Sequence, residues 1–214
     1  MSKKKKKPAW ETAVRQVMYQ ATISEAKRRY KTSTPAFNYR WEHVTAVVTL
    51  AEKLAALTGA DRDVVVAAAW LHDIRKDTGN DHPREGAVFA RRFLPKTNFP
   101  AKKIKRVAYA IEQHMGLWRD KPLTVLEAQI LWDADKLTKI GLTAAIHWTG
   151  GSLAKGKPHS TRTLIQQGRA ADWQEKTVAS MHTKPARKAA KKRLKAYNKF
   201  WDKLERELDG GDLG

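Results

Sequence analysis

The run from Val64 to Leu71 is apolar without a break, and it ends on His72-Asp73. Eight such residues in a row belong in an interior, so the two polar side chains that follow are carried in with them. Burial of polar groups is costly unless they are paired or ligated. Two more residues of ligand type stand at a distance, His43 in YRWEHV and Asp135 in LWDADKL. Two imidazoles and two carboxylates form a donor set for a divalent cation: Mn, Fe, Co, Ni, Mg or Zn.

The rest of the chain says what can surround such a site. Its 214 residues suffice for one domain with a substantial core. No run of about 18 apolar residues occurs, so no membrane span is expected. The N-terminus MSKKKKKPAW is basic but is not followed by the apolar stretch of a secretion signal. Cysteine is absent, which removes disulfides, thiolate ligands and Cys nucleophiles together. A cytoplasmic protein fits these features. The formal net charge of +20 predicts attraction to polyanions. Much of it is terminal: Lys3 to Lys7 are all basic, and residues 184–207 hold ten Lys/Arg against three acids.

Periodicity is helical nearly throughout. The spacing predicts a basic, disordered tail over 1–9, then helices over 10–30, 41–57, 61–77, 84–94 and 101–115. A longer helix is predicted from Leu123 to Trp148, stopping at Gly150-Gly151, with a loop over 152–160. Helices over 164–181 and 185–208 close the chain. There is no strand alternation, dinucleotide-binding glycine loop or Walker loop. The expected fold is an all-α bundle, a single domain over 10–209 with residues 161–208 packing back on it.

Adjacent helical residues point about 100° apart. His72 and Asp73 can therefore meet one ion only at the mouth of a helix end, with His43 and Asp135 approaching from neighbouring helices, as in other bundles with metal sites. Asp133 competes with Asp135, since the two face about 200° apart and cannot both reach one ion.

WEHV, LHDIRK and DADKL, in that order, resemble the HD-domain superfamily of metal-dependent phosphohydrolases. A wider set of segments, RWEHVTAVVTLAEKLAALTGAD, HPREGA, AIEQHMGLW, WDADKLTKIGLTAAIHWTGG and EKTVASMHTKPARKAAKKR, resembles the YedJ/YpgQ-type branch of that superfamily from about Tyr39 to Glu207. The resemblance implies an HD-domain helical bundle and His43, His72, Asp73 and Asp135 as ligands, with Asp135 preferred to Asp133. It also implies hydrolysis of phosphoester or phosphoanhydride bonds. Lys76 matches a phosphate-contacting lysine. His82 and His114 match positions that bind a second metal in two-metal relatives, although the His-His pair common there is Gln113-His114 here. The expectation is one divalent ion, manganese favoured, with His82 and His114 beside the substrate.

On this reading Asp77 is a candidate base or water-orienting group. Arg75, Lys76 and Arg84 are candidate phosphate contacts, and His114 or His82 a candidate proton donor to the leaving group. The substrate is an anionic phosphate, with nucleotides favoured and nucleoside triphosphate pyrophosphohydrolysis the narrowest form. An HD-type nuclease or phosphodiesterase acting on RNA or DNA is the alternative, favoured by the basic termini. A non-catalytic nucleic-acid-binding protein is a third, with tryptophans as stacking platforms. The amphipathic terminal helix could also support an oligomer.

Overall fold

The computed structural model describes residues 7–154 and 160–214, and all regular structure in them is helical. The basic run at the N-terminus lies outside the described residues except for Lys7. Lys7 donates from Nζ to the Pro95 carbonyl at 2.8 Å, and the Pro8 carbonyl accepts from the Asn98 amide at 3.0 Å. These two contacts tie the residues just before the first helix to the segment 95–98. No described helix is long and apolar enough to cross a membrane.

The chain divides into two compact units, Met1–Met115 with Leu123–Ala134, and Gly116–Pro122 with Asp135–Gly214. In the first, α1 (Trp10–Tyr30), α2 (Tyr39–Thr58) and α3 (Arg62–Leu71) pack on one another, α4 (His82–Phe93) packs on α5 (Ile104–Glu112), and α5 on α3. The core is made of α3 residues Val64 to Ala69 and Leu71 together with Val44, Val47, Val107 and Ile111. Local chemistry sets several boundaries. The Asn98 side chain accepts from the Trp10 amide at the start of α1. Asn38 caps α2 by accepting from the Trp41 amide at 3.1 Å, and Gly59, with φ 73°, ends it in the left-handed conformation.

Helix α3 stops at Leu71 rather than near Asp77 as periodicity predicted. Ile74, Lys76 and Thr78 donate their amides to the carbonyls of Leu71, Asp73 and Arg75, each three residues back, so the chain tightens into 3-10 turns. Gly79, at φ 61° and ψ −124°, then turns it in a conformation closed to residues with a Cβ. Helix α4 comes close to this turn through Gly86. A Cβ there would stand 3.1 Å from Ile111 Cγ2 and 3.5 Å from the His72 carbonyl oxygen.

The long helix expected over 123–148 is two helices, α6 (Leu126–Leu137) and α7 (Leu142–Ala154). Gly141 breaks it at φ 81°, where a Cβ would meet Arg193 Cβ at 2.8 Å. Arg193 donates to the Leu137 carbonyl left open by the break, and the Gly141 amide donates to Gln174 Oε1 at 3.1 Å. Gly150-Gly151 do not stop α7, which runs through them to Ala154; most of the expected loop, 155–159, is outside the described residues. The helix expected over 164–181 is likewise two, α8 (Thr161–Arg169) and α9 (Trp173–Ala179). In the second unit α10 (Lys184–Leu208) packs on α7, α8 and α9. The core there is Ala145, Ile165, Tyr197 and Trp201, with the Trp201 indole lying directly on Gly168.

Candidate metal centre

Asp73 stands at the centre of an interior cluster of four histidines. His43 comes from α2, His72 from the end of α3, His82 from the start of α4 and His114 from just after α5. All five side chains are buried. Asp73 Oδ2 lies 3.7 Å from Nε2 of both His43 and His72. Its other oxygen, Oδ1, lies 3.4 Å from His82 Nε2 and 3.5 Å from His114 Nε2. One carboxylate is thus flanked by two imidazole pairs, one on each oxygen.

The rings are aimed by their own backbones. His72, His82 and His114 each place Nδ1 on the carbonyl three residues back, Ala69, Gly79 and Ile111, at 2.8, 2.6 and 2.6 Å. Donation there leaves the Nε2 lone pair facing inward, the arrangement that metal-bound histidines adopt. His43 and His72 bring their Nε2 atoms to 3.3 Å, and His82 and His114 theirs to 3.2 Å. Two nitrogens at about 2.1 Å from one cation stand roughly 3.0–3.4 Å apart for right-angled to tetrahedral geometry. Both pairs therefore have ligand spacing, and Asp73, His82 and His114 form by themselves a three-donor group suited to an ion.

Electrostatics favour the ligand forms. Burial works against the charged Asp73 carboxylate, but His72 and His114 when protonated, together with the Arg40 guanidinium, outweigh it and hold this carboxyl well below the usual range. Burial and the neighbouring Lys76 cation push His82 down to about 4, so its imidazole is neutral near pH 7. That form donates a lone pair to a cation and carries no proton for a leaving group. His82 fits the ligand role better than the proton-donor role expected of it.

The other expected residues are placed less evenly. Lys76 is in the cluster, with Nζ 3.0 Å from His82 Nε2 and 3.4 Å from Asp73 Oδ1. Arg75 and Asp77 pair with each other at 3.2 Å and are partly exposed. Arg84 is largely exposed and pairs with Glu85 at 2.9 Å. Asp135 falls in the second unit, fully buried, its carboxylate held by Lys136 and by Lys139 at 2.7 Å. Asp133 is fully buried as well, so burial does not separate the two aspartates.

Two residues escaped the sequence reading. Arg40 donates to Asp73 Oδ2 at 2.5 Å, and Glu25 of α1 holds the same guanidinium at 3.1 and 3.4 Å. Arg40 sits three residues before His43, hence on the same helix face, and that spacing was the available signal. Nothing local marks Glu25.

Comparison with known proteins places this geometry. The HD domain family matches residues 40–140. The bifunctional uridylyltransferase/uridylyl-removing enzymes of Nitrobacter winogradskyi and Rhodopseudomonas palustris are 36% identical over 71 residues and 43% identical over 54 residues. These stretches cover 33% and 25% of this chain, which spans only 8% and 6% of those proteins' lengths. Among solved structures, a predicted HD superfamily hydrolase from an uncultured Thermotogales bacterium is 25% identical with a TM-score of 0.64, covering 91% of both chains. Bacillus subtilis YpgQ, crystallised in complex with ADP, is 20% identical with a TM-score of 0.65, covering 92% of this chain and 98% of that one.

Proposed function

For a chain that belongs, through residues 40–140, to the HD-domain family of metal-dependent hydrolases, we propose hydrolysis of phosphoanhydride or phosphoester bonds of nucleotides. Release of pyrophosphate from nucleoside triphosphates is the narrowest form of this reading. The observation that carries it is the Asp73 carboxylate between two imidazole pairs whose inward nitrogens have cation spacing. The presence of ADP in the YpgQ structure supports a nucleotide as the ligand class. The absence of cysteine and of a described membrane-length helix fits a cytoplasmic setting.

His43, His72 and Asp73 would hold the ion, with Asp135 as the fourth ligand that the family pattern supplies. Asp73, His82 and His114 offer a position for a second ion, beside the single ion expected from sequence. A bound divalent cation lowers the pKa of its water and neutralises charge on a phosphoryl oxygen. Manganese is favoured, although this donor set also accepts Fe, Co, Ni, Mg or Zn.

The chain's own side chains do the remaining work. Three backbone carbonyls keep the imidazoles in the lone-pair-inward form, so ligation needs no change of tautomer at these rings, although Lys76 must leave His82 Nε2. Lys76, 3.4 Å from Asp73, reaches a phosphoryl oxygen placed beside that carboxylate and compensates its charge. Arg75 and Arg84 approach the substrate only by leaving Asp77 and Glu85. Asp77 acts as base or water-orienting group only after releasing Arg75.

The basic stretch 184–207 favours a second reading, a nuclease or phosphodiesterase acting on RNA or DNA, and with it nucleic-acid binding without catalysis. Purified protein loaded in turn with Mn, Co, Ni and Mg is assayed for phosphate and pyrophosphate release from nucleoside triphosphates, and for cleavage of single-stranded oligonucleotides. Release from nucleotides is the expected result. Cleavage of oligonucleotides alone selects the second reading, and chelator-resistant oligonucleotide retention without turnover removes the enzyme reading.

A further inference from the structure

A cavity of about 160 Å³ opens beside the metal centre and is walled on one side by α1, which precedes the segment matched by the HD family. Ser24, Glu25 and Arg28 line it from α1, and Asp73 and Lys76 line it from the turn after α3. Pockets that enclose a whole drug-sized ligand run to about 300–1,000 Å³. This one has room for a single group of the substrate, with the remainder outside.

The charges around it say which group. Glu25 is taken up by Arg40 at 3.1 Å, Asp77 by Arg75 at 3.2 Å, and Asp73 by Arg40 at 2.5 Å and Lys76 at 3.4 Å. Each carboxylate on the cavity already has a cation. Arg28 also lines it and makes no ion pair with the described residues. Guanidinium matches phosphate in geometry, and a divalent cation on Asp73 would shift the local charge further towards positive. We propose that α1 forms an anion subsite next to the metal centre, in which Arg28 contacts a phosphate group of the substrate other than the one attacked.

The proposal rests on the phosphohydrolase reading for its substrate class, and its test separates the two. Binding of inorganic pyrophosphate with Mg²⁺ to the full chain is measured by calorimetry, for the wild type and for Arg28→Ala, Arg28→Lys and Arg15→Ala. Arg15 is an exposed arginine on the same helix, about 20 Å away along its axis. Arg28→Ala should weaken binding at least about tenfold, Arg28→Lys should recover part of the loss, and Arg15→Ala should match the wild type, all with unchanged helicity. For ATP the Arg28→Ala variant should raise KM with little change in kcat, and it should spare hydrolysis of p-nitrophenyl phosphate, which has no second phosphate. Arg28-dependent pyrophosphate binding in a protein that hydrolyses nothing would remove the hydrolase reading and leave the subsite. Wild-type binding by Arg28→Ala, or no pyrophosphate binding by the wild type, would overturn the subsite.

Discussion

Two interiors, the one around Asp73 in the first unit and the one at α10 in the second, are built on opposite terms. In the first, a carboxylate and four imidazoles are buried together, with a half-buried guanidinium on the carboxylate, and are held by backbone carbonyls and one another. In the second, the interior at α10 is a close fit of aromatic rings, Tyr197, Phe200 and Trp201, on a helix that has a glycine where the indole lands. Polar interiors are expensive to assemble and earn little stability. Tight apolar contacts give stability and no chemistry. A substitution in the cluster around Asp73 should therefore cost function foremost, and one in the aromatic fit at α10 should cost stability foremost.

The largest expected effect is at the carboxylate. Asp73→Ala should lose bound metal, by elemental analysis, and phosphate release together, by at least about a thousandfold, because cation catalysis is worth several kcal/mol. Full activity in a helical Asp73→Ala protein would end the contrast between the units along with the mechanism. Next comes Gly168→Ala. Its Cβ would lie 2.4 Å from Trp201 Cε2, and overpacking of this kind costs about 1–3 kcal/mol. Denaturant unfolding should show that loss while metal content per folded molecule stays at the wild-type level.

A smaller effect belongs to pH. His82 titrates near 6.5 when unfolded and at about 4 in the fold. Between those values the unfolded chain takes up a proton that the folded chain refuses. Stability from this group is complete above about 6.5 and falls as pH drops towards 4, by at most about 1.4 kcal/mol per pH unit. Melts of metal-free protein across that window should show the slope, and His82→Gln should flatten it. The smallest is Gly86→Ala, whose Cβ would meet Ile111 Cγ2 at 3.1 Å, a contact the side chain relieves by a shift of a few tenths of an ångström. A loss below about 1 kcal/mol is expected by the same unfolding assay.

How much of this was legible in the chain follows from distance along it. The apolar run ending in His72-Asp73 declares itself locally, and so do helix ends such as Gly59. The break at Gly141 does not, because Leu137, Ile140, Ala144 and Ala145 keep a helical spacing across it. What decides the break is Arg193, fifty-two positions later, pressed against the glycine and bonded to the Leu137 carbonyl. Arg40 and Glu25 were missed for a related reason: each looks like an ordinary surface charge until the fold sets them around Asp73. His82 and His114 were seen, but as neighbours of the substrate. Their convergence on Oδ1 of the same carboxylate appears only in three dimensions.

The histidines that take their bearing from a carbonyl three residues upstream have a consequence for how this chain can vary. One inserted or deleted residue within 69–72, 79–82 or 111–114 would rotate a ring off its mark, however conservative the residue. Length changes in homologous chains that keep the chemistry should spare these three four-residue windows and collect in the connecting segments, such as 97–100 or 119–122.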